Sequence, residues 1–194
     1  MTFRKVLKWP SKDLNIKSTS ASVEDDDDVI KDLVDTFRVI GGYGLSAPQI
    51  GLQKRIIVVN ELALTGIEGS PKERVLINPV ITSFDNLTTF EEACFSIDRA
   101  VLEINRYENV NVSYDSIDGK QEELKANGYY AACIQHEIDH LDGILMIDKL
   151  SHLKKSMFLK KQRKLKLKKK RFKESLKTKD EPRPGFRKKK QNDR

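Results

Sequence analysis

Two of the chain's three histidines stand four residues apart in the stretch "IQHEIDHLDG", residues 134–143. On an α-helix, positions i and i+4 share one face, so His136 and His140 can bind one metal ion together, with Glu137 beside it. A bound metal ion lowers the pKa of water towards neutrality, and a neighbouring carboxylate can move the proton. The spacing therefore predicts a hydrolytic metal site. A helix that happens to carry two polar residues on one side is the simpler alternative.

A catalytic metal site needs a third protein ligand and one open position. The only histidine downstream, His152, stands beside a lysine-rich run and is interpreted as a surface residue. Upstream, the stretch "EEACFS" contains Cys94, whose thiolate would be a soft metal ligand. Cys94 is therefore the candidate third ligand, and a buried apolar cysteine is the alternative. Cys133 precedes His136 by three residues and is expected to pack along the helix as part of a pocket wall.

A glycine-rich stretch, "GYGLSAPQIG", covers residues 42–51. Its three glycines and one proline predict an irregular backbone that another chain can approach closely. The side-chain amide of Gln49 can donate a hydrogen bond to an oxyanion that develops during a reaction. On its own, however, this stretch is explained more simply as a tight turn.

The remaining pattern indicates an α+β fold. Residues 24–38 have helical apolar spacing, and the aspartates before them are expected to cap that helix rather than to bind calcium. Gly41 and Gly42 would end it. Residues 128–141 return to helical spacing, and Gly143 follows where a C-terminal cap belongs. "DSIDGK" predicts a hairpin turn, and β-rich segments are predicted at residues 55–59, 74–77, 101–105 and 109–114.

Length and composition indicate one domain with an appendage. Two cysteines in 194 residues do not suggest a disulfide framework, so a reducing compartment is expected. The first residues do not resemble a signal peptide, and no apolar run approaches the roughly 20 residues that span a bilayer. We therefore expect a soluble protein.

The charge is distributed unevenly. Residues 154–194 contain 20 Lys or Arg and four Asp or Glu, giving +16, whereas residues 1–153 contain 16 and 25, giving −9. Residues 153–177 predict a helix with a narrow apolar stripe among lysines, and the residues beyond Thr178 are expected to be disordered. The basic helix is either a solvated helix or an anchor for RNA or the ribosome. Membrane-surface binding is disfavoured, because the stripe is thin and contains no Trp.

The stretches "GYGLSAPQIG", "EACFS" and "QHEIDHLDG", in this order, resemble the three motifs of peptide deformylase, GxGLAAPQxG, EGCLS and QHExDHLxG. The resemblance extends over about residues 4 to 155 and includes the opening "VLKWPSKDL". The chain departs from the motifs at Ser46 for alanine, Ala93 for glycine and Phe95 for leucine. Ala93 adds a methyl group where the substrate backbone should pass.

The resemblance implies short antiparallel β-sheets around a central helix carrying HExxH, with a C-terminal helix. It implies a catalytic domain over residues 1–153, followed by the basic helix and tail of residues 154–194. The implied reaction removes the N-formyl group from the formyl-methionine of new polypeptides. Cys94, His136 and His140 would hold one divalent metal ion, typically Fe2+, with Zn2+, Ni2+ or Co2+ as substitutes. Gln49 and the main-chain N–H of Phe95 would stabilise the oxyanion, and Glu137 would move the proton.

The substrate implied by the resemblance lies extended along the glycine-rich stretch and pairs with backbone near Tyr43, Gly44 and Ala93. The methionine pocket would be formed by Tyr43, Tyr129, Ala132 and Cys133. The expected partners are N-formylated nascent peptides and, through the basic tail, the ribosome and its RNA. A cytoplasmic monomer without membrane association is expected, in a bacterial cell or in the host of a bacteriophage.

Two other functions are compatible with parts of the pattern. An endopeptidase of the HExxH class is disfavoured by the upstream Cys94, because the third ligand of such proteases usually lies downstream. A ribosome-binding module with an inactive domain is disfavoured by the intact set of Glu137, Cys94 and Gln49.

Overall fold

A computed structural model describes residues 2–177. The chain divides into two compact units, Met1–Leu150 and Ser151–Arg194. The described part of the second unit consists of one helix after Ser151, whereas the first unit contains all of the strands and the metal-ligand candidates.

The first unit is built on one antiparallel sheet whose five strands follow chain order. The strands are β1 (Gly44–Ser46), β2 (Ile56–Val59), β3 (Arg74–Cys94), β4 (Ile97–Asp115) and β5 (Gln121–Asn127). The α+β fold is thus confirmed, with the strands joined in a single sheet. The segments predicted at residues 101–105 and 109–114 belong to one long strand. The polar residues between them stay in the β-ladder, since Arg106 pairs with Thr88 and Tyr107 with Leu87 of β3.

Residues 2–177 form four α-helices, three in the first unit and one in the second: α1 (Asp27–Ile40), α2 (Glu61–Thr65), α3 (Gly128–Leu141) and α4 (His152–Lys177). The predicted helix over residues 128–141 is observed as α3. Short 3-10 helices are present at Lys12–Asn15, Ala47–Ile50 and Met146–Lys149.

The helix predicted at residues 24–38 is observed as α1, but its capping differs from the prediction. Asp26 occupies the N-cap position, yet its side chain does not bond to the helix N-terminus. Its carboxylate instead accepts the Ser22 N–H at 2.9 Å and pairs with Lys54 Nζ at 3.0 Å. Gly41 ends α1 as predicted, with a φ of 70°.

Strand β2 is buried on both faces, because α1 and α3 cover opposite sides of the sheet. Successive side chains of a strand point to opposite faces. Ile57 and Val59 belong to the apolar cluster that contains α3, whereas Ile56 and Val58 belong to the cluster that contains α1. The helix with the two histidines is therefore fixed on the sheet by a continuous apolar core, whose members from α3 include Ala131, Ile134, Ile138 and Leu141.

The C-terminal helix α4 covers the residues predicted for it. The predicted apolar stripe contains Phe158, which is buried, and Phe172, which is exposed. Leu153 and Met157, which precede the stripe, are exposed. The predicted disorder beyond Thr178 concerns residues that lie outside the described part of the chain. Among residues 2–177, no helix is both long enough and apolar enough to span a bilayer.

The end of α3 depends on a close approach that only glycine permits. Gly143 has a φ of 72°, and a Cβ there would lie 2.6 Å from the carbonyl oxygen of Asn15. Gly119, in the confirmed hairpin turn between β4 and β5, has a similar φ of 73° but open space around it. A substitution at Gly119 therefore causes backbone strain alone, whereas one at Gly143 causes both strain and steric overlap.

We expect Gly143→Ala to lower the free energy of unfolding by about 2–5 kcal/mol, the sum of left-handed strain and overpacking. The matched control Gly119→Ala should cost about 1–2 kcal/mol, because only the strain applies there. Urea unfolding of both variants measures the difference. Equal losses in the two variants would show that the contact with Asn15 does not constrain α3.

Candidate metal centre

The three predicted metal ligands come from two elements that meet at the end of the sheet. Cys94 is the last residue of β3, and the chain reverses so sharply there that Cys94 pairs with Ile97. His136 and His140 stand on α3. One ligand atom from each of the three residues lies within 4.8 Å of the others. Cys94 Sγ is 3.2 Å from His140 Nε2.

His136 is oriented by a buried carboxylate. Its Nδ1 lies 2.8 Å from Oε2 of Glu92. Glu92 precedes Cys94 by two residues, so both side chains stand on the same face of β3. A ring whose Nδ1 bonds to a carboxylate presents Nε2 as the metal-binding nitrogen, and such partners commonly orient histidine ligands.

A buried arginine connects the strand and the helix that carry the ligands. Arg106 of β4 is only 2% exposed. Its Nε donates to Glu92 Oε1 at 2.6 Å, and another guanidinium nitrogen donates to Asp139 of α3. Lys149 Nζ lies 3.0 Å from the same Asp139 carboxylate. Burial opposes the charge of Glu92, but its hydrogen bonds with His136 and Arg106 outweigh burial and lower its pKa to about 2.

Glu137 faces β1 from the helix and is buried. A Cβ on Gly44 would lie 2.9 Å from Glu137 Oε1 and 2.8 Å from Cys133 Sγ, so the glycine makes room for the carboxylate. Burial raises the pKa of Glu137 to about 6, against the opposing effects of His136 and Ser46. Among the described residues, Glu137 Oε2 has no hydrogen-bond partner. Such a carboxylate takes up a proton more readily than an exposed one.

Gln49 lies in the 3-10 helix that follows β1, and its side chain is held at both ends. Oε1 accepts hydrogen bonds from the N–H and the hydroxyl of Ser46, both at 2.9 Å. Nε2 therefore turns towards Cys94 Sγ at 3.5 Å and Ser96 Oγ at 3.3 Å. The donor end of this amide thus points at Cys94, one of the three candidate metal ligands.

The Phe95 ring rests directly on the glycine-rich stretch. A Cβ on Gly42 would lie 2.6 Å from the ring, and Gly42 has a φ of 102° that disfavours other residues. The side chain that replaces the leucine of the family motif is thus packed against the first glycine of the other motif.

One cavity of about 490 Å3 brings the predicted substrate-binding residues together. Tyr43 and Tyr129 stand at its rim, 61% and 60% exposed, and the Tyr129 ring meets Phe90 edge-on at 5.1 Å. Burial raises the pKa of Cys133, so that residue lines the cavity as a neutral thiol. The cavity wall also includes Gly44, Ala93, Ala132, Gln49, Cys94, Phe95, His136 and Glu137.

Several residues of the centre were not singled out in the sequence. Glu92 could have been found, since a carboxylate two residues before a strand ligand shares the ligand's face. Arg106 and Asp139 carry no comparable signal, because their partners lie 14 and 33 residues away from Arg106 in the chain. Ser46 was noted only as a departure from the motif, whereas it fixes the orientation of Gln49.

A cysteine sulfur and two imidazoles beside a buried carboxylate, in an α+β domain, are typical of a metal-dependent hydrolase. The chain belongs to the polypeptide deformylase family, whose model matches residues 3–156. A peptide deformylase from Pelagibacter ubique is 41% identical over 169 residues, covering 86% of this chain and 96% of the relative. One from Maricaulis maris is 38% identical over 170 residues, covering 85% and 95% of the two chains.

Solved structures agree with this assignment. The crystal structure of a peptide deformylase from Legionella pneumophila is 35% identical and has a TM-score of 0.75, covering 88% of this chain and 99% of its own. A deformylase from Ehrlichia chaffeensis in complex with actinonin is 30% identical, also with a TM-score of 0.75, covering 84% and 98%. The chain is accordingly a hydrolase that removes the N-formyl group from the formyl-methionine of newly made polypeptides.

Replacing the buried arginine tests how strongly the centre depends on it. Arg106→Met leaves the buried Glu92 carboxylate without its cation and Asp139 with Lys149 alone, so it should lower the free energy of unfolding by about 3–5 kcal/mol. Loss of the support for His136 should weaken metal binding about 10- to 100-fold. Arg38→Met, which removes the half-exposed pair with Glu73, is the control and should cost at most about 1 kcal/mol. Urea unfolding and competition with a metal chelator measure the two effects, and similar losses in both variants would contradict this role of Arg106.

Proposed function

We propose that Cys94, His136 and His140 together hold the one divalent metal ion of this deformylase. The convergence of one sulfur and two imidazole nitrogens within 4.8 Å supports this assignment. The donor set also fits such an ion chemically, because three protein ligands leave one position open for water or substrate. The contact between Glu92 and His136 supplies the orienting partner that a ligating histidine requires.

The resident ion of the proposal is Fe2+, with Zn2+, Ni2+ or Co2+ as substitutes. Thiolate and imidazole ligands suit all four ions, and geometry and availability decide among them. The preference for Fe2+ rests on the resemblance to the deformylase motifs.

A divalent ion held by Cys94, His136 and His140 would supply Lewis acidity to the formyl carbonyl and to water. The carboxylate of Glu137 accepts a proton from the attacking water and delivers it to the amine that leaves. The C–N bond of the formamide breaks, and formate and a free N-terminus result. Burial of Glu137 supports this role, because a carboxylate with a raised pKa can both take and return a proton.

Gln49 and the main-chain N–H of Phe95 are the proposed donors to the oxyanion. Ser46 holds Oε1 of Gln49, which keeps the Nε2 donor directed at the centre. Preorganised donors of this kind need no rearrangement during the reaction and therefore stabilise the transition state efficiently.

The proposed substrate path runs between two open strand edges. β1 is the first strand of the sheet and pairs with β2, while β3 beyond residue 77 pairs with β4 alone. An extended peptide can therefore pair with backbone at Gly44 and Ala93. Its methionine side chain would enter the cavity beside Tyr43, Tyr129, Ala132 and Cys133. A deformylase from Acinetobacter baumannii, 27% identical with a TM-score of 0.68, was solved with Met-Ala-Ser bound, which supports a peptide ligand for this chain.

The proposal also includes a catalytic unit over residues 1–153 and a basic unit over residues 154–194 that binds the ribosome. The charge of +16 in the second segment supports this role, since lysines and arginines displace counterions from phosphate. The proposed location is the cytoplasm of a bacterial cell or of the host of a bacteriophage, where nascent chains are made, and the proposed oligomeric state is a monomer. The acidic remainder of the chain would by itself be repelled by RNA.

Glu137→Gln tests the proton carrier. The amide cannot accept a proton, yet all three proposed ligands are unchanged. Formate release from formyl-Met-Ala-Ser should fall about 10²- to 10⁴-fold while the bound metal per chain stays the same. Glu123→Gln, an exposed change on β5, is the matched control and should keep full turnover. A Glu137→Gln protein with normal turnover would assign the proton transfer to another group.

The proposed ribosome-binding role can be tested by removing positive charges from α4 while keeping the full chain. Replacing Lys160, Lys161, Lys164 and Lys168 of α4 by glutamine should weaken sedimentation with ribosomes and leave peptide hydrolysis unchanged. The slope of log affinity against log salt should become shallower by up to about three units. The control replaces four exposed lysines of the first unit: Lys5, Lys12, Lys120 and Lys125. Equal weakening by the control set would show that α4 is not the anchor.

A further inference from the structure

Three consecutive residues near the N-terminus contact both segments that carry the proposed oxyanion donors. Leu7 N–H donates to the carbonyl oxygen of Gln49 at 2.7 Å, and Trp9 N–H donates to that of Ser96 at 2.8 Å. Between them, Lys8 Nζ donates to the carbonyl oxygen of Phe95 at 2.6 Å. A segment outside the glycine-rich, cysteine and histidine motifs thus joins the two donor segments to each other.

We infer that Lys8 is a positioning residue for deformylation, which holds the Phe95 main chain in the geometry that its N–H needs to stabilise the oxyanion. This inference rests on the donor roles proposed above for Gln49 and Phe95. Lys8 itself is not proposed to contact the reacting atoms. It acts through the backbone of Phe95.

The geometry of a peptide chain explains how a contact at the carbonyl controls the N–H. Each peptide group is planar, so the two groups that meet at Phe95 can rotate only about φ and ψ. Lys8 fixes the group that contains the Phe95 carbonyl, and Trp9 fixes the next carbonyl along the chain. The Phe95 side chain is held against Gly42. With these contacts in place, the Phe95 N–H has little freedom to turn away.

The β-ladder is irregular in the hairpin after Cys94, so the backbone there is constrained less by strand pairing. Cys94 pairs with Ile97 and Ala93 with Val101, so the ladder between β3 and β4 shifts its register at this point. Arg99, within the extra residues, has a φ of 55°, in the left-handed region. A ladder that is interrupted beside the donor constrains the donor less than a regular ladder would. Lys8 supplies the missing constraint from the other side.

Lys8 also forms an ion pair with Asp98, with Nζ 2.9 Å from Oδ1. Both side chains are exposed, and an exposed pair of this kind contributes little to stability. The ion pair and the bond to Phe95 can be separated by mutation. Asp98→Ala removes the carboxylate and keeps the bond from Lys8 to the Phe95 carbonyl, whereas Lys8→Met removes both.

The test measures kcat and KM for formyl-Met-Ala-Ser with the metal-loaded full chain. Lys8→Met should lower kcat about tenfold, less than the 10²- to 10³-fold loss that follows removal of an oxyanion donor. KM should change by less than about twofold, because the interaction is made in the transition state. Lys8→Arg, which can still donate to the carbonyl, should restore kcat, and Asp98→Ala should keep it within about twofold of the unmodified chain.

Several results would overturn the inference. These are an unchanged kcat in Lys8→Met, a rise in KM alone, loss of bound metal, or an equal fall in kcat in Asp98→Ala. Gln49→Ala, measured in parallel, separates failure of the inference from failure of the proposed donors. If Gln49→Ala loses turnover and Lys8→Met does not, the inference alone is wrong. If Gln49→Ala keeps full turnover, the proposed donor set is wrong.

Discussion

One buried guanidinium connects the elements on which the whole centre depends. Arg106 bonds to Glu92 of β3 and to Asp139 of α3. β3 carries Cys94, and α3 carries His136 and His140. A buried charge is tolerated only when it is paired and hydrogen-bonded, so this contact holds strand and helix at one separation. Glu92 in turn holds the His136 ring. The positions of the candidate ligands therefore depend on Arg106 and Glu92, which are not candidate ligands themselves.

The glycines complement this connection by allowing close approach. Gly44 makes room for the carboxylate of Glu137, and Gly42 for the ring of Phe95. Ser46 then orients Gln49 from within the same segment. The side chains that pack against this stretch thus require glycine at residues 42 and 44. A larger residue at 42 would displace the Phe95 ring, and one at 44 would displace the Glu137 carboxylate.

The parts of the fold that could be predicted are those encoded locally. The helix at residues 128–141 and the turn in "DSIDGK" follow from apolar spacing and turn residues, and both are observed. β5, "QEELKAN", lacks a clear apolar alternation, and it forms a strand because it pairs with β4. The break expected between residues 105 and 109 was wrong, because Arg106 is polar in sequence and buried in structure. Burial of a charge by distant partners leaves no local signal.

The candidate metal centre likewise contains residues that the sequence predicts and residues that it does not. The cluster of Cys94, His136 and His140, with Glu137 beside it, could be predicted from residue type and spacing, since metal chemistry demands particular side chains. The network of Arg106 and the contacts of Lys8 depend on how distant segments meet, and spacing along the chain does not encode that. Asp26 illustrates the opposite case: an apparent capping residue is used instead for an ion pair with Lys54.

The most direct test of the central claim is X-ray absorption at the metal edge of protein purified without oxygen. A set of one thiolate and two imidazoles predicts one sulfur neighbour at about 2.3 Å and two histidine nitrogens near 2.0–2.1 Å, as for comparable Zn sites. The edge that carries the signal also identifies the resident ion, for which iron is expected. A spectrum with no sulfur in the first shell would contradict the centre formed by Cys94, His136 and His140.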